Sequence, residues 1–200
     1  MEAKIFIPSN ALALLLAFLL CISLADATTT KNSSETYTNY LKKACNSTLY
    51  PQLCFESLSS YTSTIKTNDL KLSTKALTVT LKAASNTSKL VTSLSKGGNL
   101  SMTEAGIIKD CIDEMGDSID MLKQSLKALG SLNGSDDHIQ FQISNIKTWM
   151  SAALTDETTC TDGIAERKIS DEAMRKIRKT IVHIAMLTSN ALALLNKLPY

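Results

Sequence analysis

The stretch that decides the fold runs from Lys147 to Asp162 and reads KTWMSAALTDETTCTD. It holds the single tryptophan of the chain, followed by small residues and then by a cysteine among hydroxyl-bearing and acidic neighbours. The residues at i, i+1, i+4 and i+5 from the tryptophan share one face of a helix: Trp149, Met150, Ala153 and Leu154. The pattern predicts that this segment pins a helical bundle, that Cys160 locks it to a distant part of the chain, and that its far end contributes to a partner-binding surface.

Composition indicates one helical domain. The chain has 200 residues, 5% aromatic residues and a formal net charge of +2. Gly and Pro total 10, and Leu, Ala, Ser, Thr and Lys dominate, a composition that suits helices and leaves little for a sheet. A near-neutral charge balance predicts no nucleic-acid partner.

The first residues have the form of a secretory signal. Lys4 precedes an apolar run over residues 11–22, and a small-x-small sequence ends at Ala27. We predict cleavage after Ala27, so that residues 1–27 are a signal peptide and residues 28–200 form the mature domain, without a membrane span. An uncleaved anchor is the alternative, which the short apolar run disfavours. Cleavage removes two acids and one base and raises the net charge from +2 to +3.

In an exported protein, cysteines are expected to form disulfides. Cys21 leaves with the signal peptide, and the four cysteines that remain predict two disulfides. Three pairings are possible. We favour Cys45–Cys54, since these two are close in sequence around a predicted turn, together with Cys111–Cys160.

N-glycosylation sequons also support export of the protein. Five N-x-[ST] sequences are present, and we expect at least two to carry sugar: Asn32, Asn46, Asn86, Asn99 and Asn133. Chance occurrence in a Ser/Thr/Asn-rich chain is the alternative explanation.

Apolar periodicity predicts a short helical hairpin and then four long helices. The hairpin consists of two short helices on either side of Asn46–Thr48, joined by the first disulfide. The long helices follow a cap at Thr67–Asp69, a capping box at Ser101–Glu104, the loop before His138, and a cap at Ser170. The third is predicted over about 138–156, with an irregular stretch after Cys160. The fold class is therefore all-α, an up-down-up-down four-helix bundle preceded by a short disulfide-stapled N-terminal helical hairpin.

No catalytic or metal-binding constellation is evident. The two histidines, His138 and His183, lack a pattern of Ser and Asp partners, and the sequence holds no G-x-S-x-G, Walker loop, G-x-G-x-x-G or H-E-x-x-H. We therefore predict a protein that is not an enzyme and that needs no cofactor and no metal.

Acidic residues mark the helix after Cys111. Asp113, Asp117 and Asp120 are spaced i, i+4 and i+7 and share one face. By pattern alone this is more often a solvated face than a surface for a basic partner. A Cys111–Cys160 bridge would bring the acids on either side of Cys160 to the same patch.

Four motifs carry a family resemblance. They are CNSTLYPQLC at 45–54, Asp110-Cys111 with the acids that follow it, TWMSAALT at 148–155 leading to Cys160, and SNALAL at 189–194. Over nearly everything after Tyr37, the chain resembles the plant invertase and pectin methylesterase inhibitor family. The resemblance implies the bundle and hairpin above, first-to-second and third-to-fourth disulfides, and extracellular inhibition of a carbohydrate-active enzyme by occlusion, without catalysis.

The two target classes of that family differ in sequence. Invertase inhibitors typically present a Pro-Lys-Phe loop between the second and third bundle helices, and the corresponding loop at 129–137 has none. The form TWMSAALT is instead typical of pectin methylesterase inhibitors. In that branch, the positions that face the esterase correspond here to Asp113, Asp117, Asp120, Thr159 and Asp162.

The sequence therefore predicts an apoplastic pectin methylesterase inhibitor of the cell wall that covers the pectin-binding cleft in a 1:1 complex. Because the chain is slightly basic overall, attraction must come from the local acidic patch and weaken with salt. Three alternatives remain open. They are an inhibitor of acid invertase, a detached pro-region that acts as a folding or retention module (less simple, since the chain ends at Tyr200 without a catalytic domain), and a bundle that binds an apolar ligand.

Overall fold

A computed structural model describes residues 33–96, 100–166 and 172–199. The N-terminal part contains α1 (33–45), α2 (Pro51–Leu58), a 3-10 turn (Ser59–Tyr61) and α3 (Thr62–Ile65). Four long helices follow: α4 (Asp69–Ser95), α5 (Met102–Gly130), α6 (Asp136–Glu166) and α7 (Glu172–Leu195). The predicted signal peptide, residues 1–27, and the sequons at Asn32 and Asn99 lie outside the described residues.

The long helices form a closed four-helix bundle. Each packs against the next along the chain, and α7 returns to pack against α4. The interior is formed by the apolar stripes of all four helices, with Leu77 from α4, Met115 and Leu122 from α5, Met150 from α6 and Ile181 from α7 each at most 1% exposed. This confirms the predicted all-α up-down-up-down architecture.

The helical hairpin lies on one side of the bundle. A disulfide joins Cys45 to Cys54, and α2 packs against both α4 and α7. The two disulfides have the favoured pairing, since Cys111 of α5 is bonded to Cys160 of α6. Burial against the bundle supplies the stability that helices this short lack on their own.

The predicted helix starts are confirmed for two of the long helices. Asn68 caps α4, its Oδ1 accepting a hydrogen bond from the Lys71 N–H at 2.8 Å. Ser101 and Glu104 form the predicted capping box at the start of α5. The cap predicted at Ser170 lies outside the described residues, and α7 is described from Glu172.

The predicted extent of the third long helix is wrong. This helix begins at Asp136 and continues without interruption past Cys160 to Glu166. The threonines and the glycine after Asp156 have low helix propensity. Buried anchors at Cys160 and Ile164 override that propensity, and threonine hydroxyls in the segment bond back to carbonyls of the preceding turn.

Candidate functional site

The predicted acidic residues of α5 are exposed. Asp113, Asp117 and Asp120 are exposed, and Asp120 forms a 2.9 Å ion pair with Lys123, also exposed. That pair lies in water and contributes little to stability. Two further carboxylates of the same helix, Asp110 and Glu114, lie between these residues and α6.

The disulfide between α5 and α6 joins a second acidic segment to the first. The Cα atoms of Cys111 and Cys160 are 4.8 Å apart, so the two helices run close together at this level. The pKa of Asp156, a half-buried residue of α6, is raised by burial and then by the negative charges of Glu114 and Asp117 on α5. Carboxylates of the two helices are therefore close enough to repel one another.

A cavity of about 250 Å³ opens between the two helices beside this disulfide. Asp110 and Glu114 line it from α5, Thr159 and Gly163 line it from α6, and the two cysteines contribute to its lining. A Cβ atom at Gly163 would meet nothing within 4 Å, so the side of the cavity beside this glycine is open. The cavity has the size of a single large side chain, and its lining combines two carboxylates with an apolar surface.

The two predicted contact residues of α6 are neighbours on the outer side of this cavity. Thr159 and Asp162 are both exposed and three residues apart, a spacing that places them side by side on a helix surface. A continuous surface of exposed and half-buried residues thus runs across the α5–α6 pair, and we call it the acidic face. It consists of the following residues: Asp110, Asp113, Glu114, Asp117 and Asp120 of α5, and Asp156, Thr159 and Asp162 of α6.

Sequence reasoning placed five residues of this surface but missed the cavity. Asp110, Glu114 and Gly163 were not among the predicted contact residues, and Asp156 was expected at the same patch but not as a contact residue. Because the helix was expected to end at Asp156, Gly163 was not expected to lie inside it. The available signal was Ile164, which continues the apolar stripe of the helix past this glycine.

One acidic residue of α6 has a different position. Glu157 is fully buried, and its Oε1 accepts hydrogen bonds from the hydroxyls of Ser118 on α5 at 2.8 Å and Thr188 on α7 at 2.9 Å. Its Oε2 is buried without a hydrogen-bond partner. Burial raises the pKa of Glu157 to about 7, although the two hydroxyl donors oppose that change.

Three of the predicted sequons lie within the described residues, and Asn46, Asn86 and Asn133 are all exposed. Their use stays a prediction. Within the described segments, no group of three or more His, Cys, Asp or Glu side chains is arranged to hold a metal ion. None of the helices described there is long and apolar enough to cross a bilayer.

Comparisons with known proteins match most of this chain to a single protein family. A family model for "Plant invertase/pectin methylesterase inhibitor" matches residues 39–194. The chain is 43% identical to "Pectinesterase inhibitor 10" of Arabidopsis thaliana, over 82% of this chain and 52% of that protein. It thus spans about half the length of that relative, whereas the alignment with "Pectinesterase inhibitor 4" of the same plant, at 42% identity, covers 84% of this chain and 85% of the relative.

A solved structure shows the same fold. The crystal structure of a mutant form of a pectin methylesterase inhibitor from Arabidopsis superposes with a TM-score of 0.63 and covers 78% of this chain and 94% of the other. At 24% sequence identity, this likeness supports the fold alone.

Proposed function

This chain belongs to the plant invertase/pectin methylesterase inhibitor family, and on that premise we propose that it inhibits a plant pectin methylesterase by covering the pectin-binding cleft in a 1:1 complex. The proposed setting is the cell wall, where the inhibitor would regulate pectin demethylesterification after export. The matching family model describes inhibitors, and the relatives named above are inhibitors and not catalytic domains. The chain therefore acts by binding an enzyme.

The observation that carries the proposal is the acidic face. An esterase cleft that accepts a pectin chain must accommodate closely spaced carboxylates, and a protein surface with the same charge competes for the same place. On this face the carboxylates of α5 stand beside a cavity large enough for one side chain of the partner. The disulfide between Cys111 and Cys160 fixes the spacing of the two helices that carry the surface.

The decisive experiment is a titration of the oxidised chain from Thr28 against a plant pectin methylesterase and, in parallel, an acid invertase. We expect an equimolar endpoint with the esterase and no effect on the invertase, since the loop between α5 and α6 lacks Pro-Lys-Phe. An equimolar endpoint with the invertase alone would reverse the assignment of the target. Demethylation of pectin by the isolated chain would overturn the non-enzymatic role.

The contact residues are tested by charge reversal. The double variant Asp117→Lys with Asp120→Lys is expected to weaken inhibition at least roughly tenfold, since it places two cations opposite a cleft built for anions. The matched control is Asp136→Lys with Asp137→Lys, which makes the same charge change on exposed residues at the first turn of α6. Equal inhibition by the two variants would remove the acidic face from the proposal, provided that their circular dichroism spectra agree.

A further inference from the structure

The four long helices divide their charge unequally. Helices α5 and α6 carry 12 acids and 4 bases, a net charge of −8, whereas α4 and α7 carry 2 acids and 8 bases, a net charge of +6. Each helix of the bundle neighbours the one before it, and α7 closes on α4. The α4–α7 side of the bundle is therefore opposite the α5–α6 side that carries the acidic face.

The hairpin covers only part of this basic side. Ser57 of α2, Asn86 of α4 and His183 of α7 line one cavity of about 300 Å³. Asn86 and His183 line the same cavity and are therefore level with each other. Because α4 and α7 are antiparallel, the C-terminal end of α4 lies beside the N-terminal end of α7. Lys89 and Lys96 consequently lie level with residues 175–179, beyond the edge of the hairpin.

Five exposed cations lie beyond the edge of the hairpin on the outer sides of α4 and α7, and we call them the basic surface: Lys89, Lys96, Arg175, Lys176 and Lys179. Among the side chains that the structure describes, the sole ion pair is Lys123–Asp120, so none of the five is neutralised by a described carboxylate. Arg175 lies four residues before Lys179, a spacing at which like charges repel one another along a helix.

A surface of unpaired cations can bind a polyanion, and the side chains between the cations indicate which kind of polyanion fits. A shallow groove of about 330 Å³ is lined by Lys89 and Lys96 together with the hydroxyl-bearing Ser88, Thr92 and Ser93. Ammonium groups and hydroxyls suit a chain of carboxylates and hydroxyls. No lining residue of the groove is aromatic, whereas surfaces that bind single-stranded nucleic acid stack bases on aromatic rings.

We propose that the basic surface binds the unesterified galacturonate stretches of pectin. The inhibitor would then be held on the polymer that its partner modifies, with the acidic face on the opposite side still free for the esterase. The choice of this polyanion rests on the function proposed above, but the binding itself involves no residue of the acidic face.

The test measures binding to the polymer without any esterase. We would titrate the oxidised chain, after enzymatic removal of N-glycans because Asn86 lies beside the surface, with polygalacturonate by calorimetry at low salt. The same polymer in fully methyl-esterified form and a single-stranded oligonucleotide are the comparison ligands. Binding is expected for polygalacturonate, with loss of affinity as salt rises, and not for the uncharged ester.

Two triple variants with the same change in net charge separate a local surface from overall charge. Lys89→Glu, Arg175→Glu and Lys179→Glu alter the basic surface, whereas Lys43→Glu, Lys109→Glu and Lys127→Glu alter exposed positions elsewhere. The first triple is expected to weaken binding at least roughly tenfold and the second less than threefold, with unchanged helix content in both.

Three results would overturn the proposal: no binding to polygalacturonate, equal losses in the two triples, or tighter binding of the oligonucleotide. Because the esterase is absent, a failure here leaves the inhibition assay untouched. A failure of inhibition equally leaves the binding result standing.

Discussion

The side-chain amide of Asn190 on α7 pairs with both backbone groups of Tyr50, the residue before α2. Its Oδ1 accepts a hydrogen bond from the Tyr50 N–H at 3.0 Å, and its Nδ2 donates to the Tyr50 carbonyl at 2.9 Å. The two residues are 140 positions apart in sequence. This pair attaches the disulfide-bonded hairpin to the bundle by polar contacts, in addition to the packing of α2 on α4 and α7.

Replacement of this amide is expected to loosen the hairpin. In Asn190→Leu the Tyr50 carbonyl keeps its bond from the Cys54 N–H, but the Tyr50 N–H loses its partner. An unsatisfied donor costs about 1–3 kcal/mol when fully buried; because Tyr50 is half-buried, we expect the low end of that range, which urea unfolding would detect as a lower midpoint. Hydrogen exchange at the Tyr50 amide should accelerate. The exposed Asn196→Leu is the control, and a similar small effect in both variants would contradict the attachment.

The buried Glu157 predicts an unusual dependence of stability on pH. Its pKa of about 7 lies above its ordinary value of 4.5, so the folded state binds the proton more tightly than the unfolded chain does. This contribution to the free energy of unfolding is therefore full below pH 4.5 and is lost as the pH rises through about 7. The difference between acidic and alkaline pH is expected to reach up to about 3 kcal/mol.

An amide at this position should remove that dependence. The side chain introduced by Glu157→Gln would keep an oxygen for the Ser118 and Thr188 hydroxyls without a charge to desolvate. We expect urea unfolding at pH 8 to show a variant more stable than the parent, and at pH 5 a much smaller difference. The exposed Glu35→Gln should follow the parent at both values. Parallel pH profiles for Glu157→Gln and the parent would show that burial of this carboxyl has no such cost.

The position of Glu157 shows what sequence periodicity supplied and what it did not. The apolar stripe of α6 passes through Met150, Ala153, Cys160 and Ile164, and residue 157 falls on the same stripe. The pattern therefore marked an acid at a core position, but the two hydroxyls that accommodate it come from α5 and α7 and have no local signature. The bundle, the hairpin and the disulfide pairing followed from apolar spacing, cysteine arithmetic and family motifs, because each leaves a regular mark along the chain.

The acidic face was also predictable only in part, because contacts between different helices leave no local pattern in the sequence. Asp113, Asp117 and Asp120 share a face by spacing alone. The cavity between α5 and α6 depends instead on how two helices separated by a loop come together, and on the continuation of α6 through a run of poor helix formers. Tertiary anchors at Cys160 and Ile164 determined that continuation, which carries the helix about three turns beyond its predicted end.

The two disulfides should differ in their effect. Cys111 and Cys160 are 49 residues apart, whereas Cys45 and Cys54 are 9 apart. In the chain-entropy model the longer loop stabilises the fold by about 4 kcal/mol and the shorter by about 3 kcal/mol. Paired alanine variants, compared by urea unfolding, should therefore rank in that order. Inhibition measured at a temperature where both variants stay folded should suffer more without Cys111–Cys160, and equal losses would argue that this bridge does not organise the acidic face.

Gly163 offers a test in which stability and binding move in opposite directions. A glycine inside a helix costs roughly 0.5–1 kcal/mol relative to alanine, and a Cβ atom at this position meets nothing within 4 Å. Gly163→Ala and Gly163→Leu are therefore both expected to raise the free energy of unfolding. The leucine side chain would also occupy the cavity between Glu114 and Thr159, so we expect Gly163→Leu to weaken inhibition at least roughly tenfold and Gly163→Ala much less. Gly130→Leu, at an exposed glycine with equal space at the other end of the bundle, controls for a new apolar surface. Full inhibition by Gly163→Leu would mean that the esterase contacts the acidic carboxylates without entering the cavity.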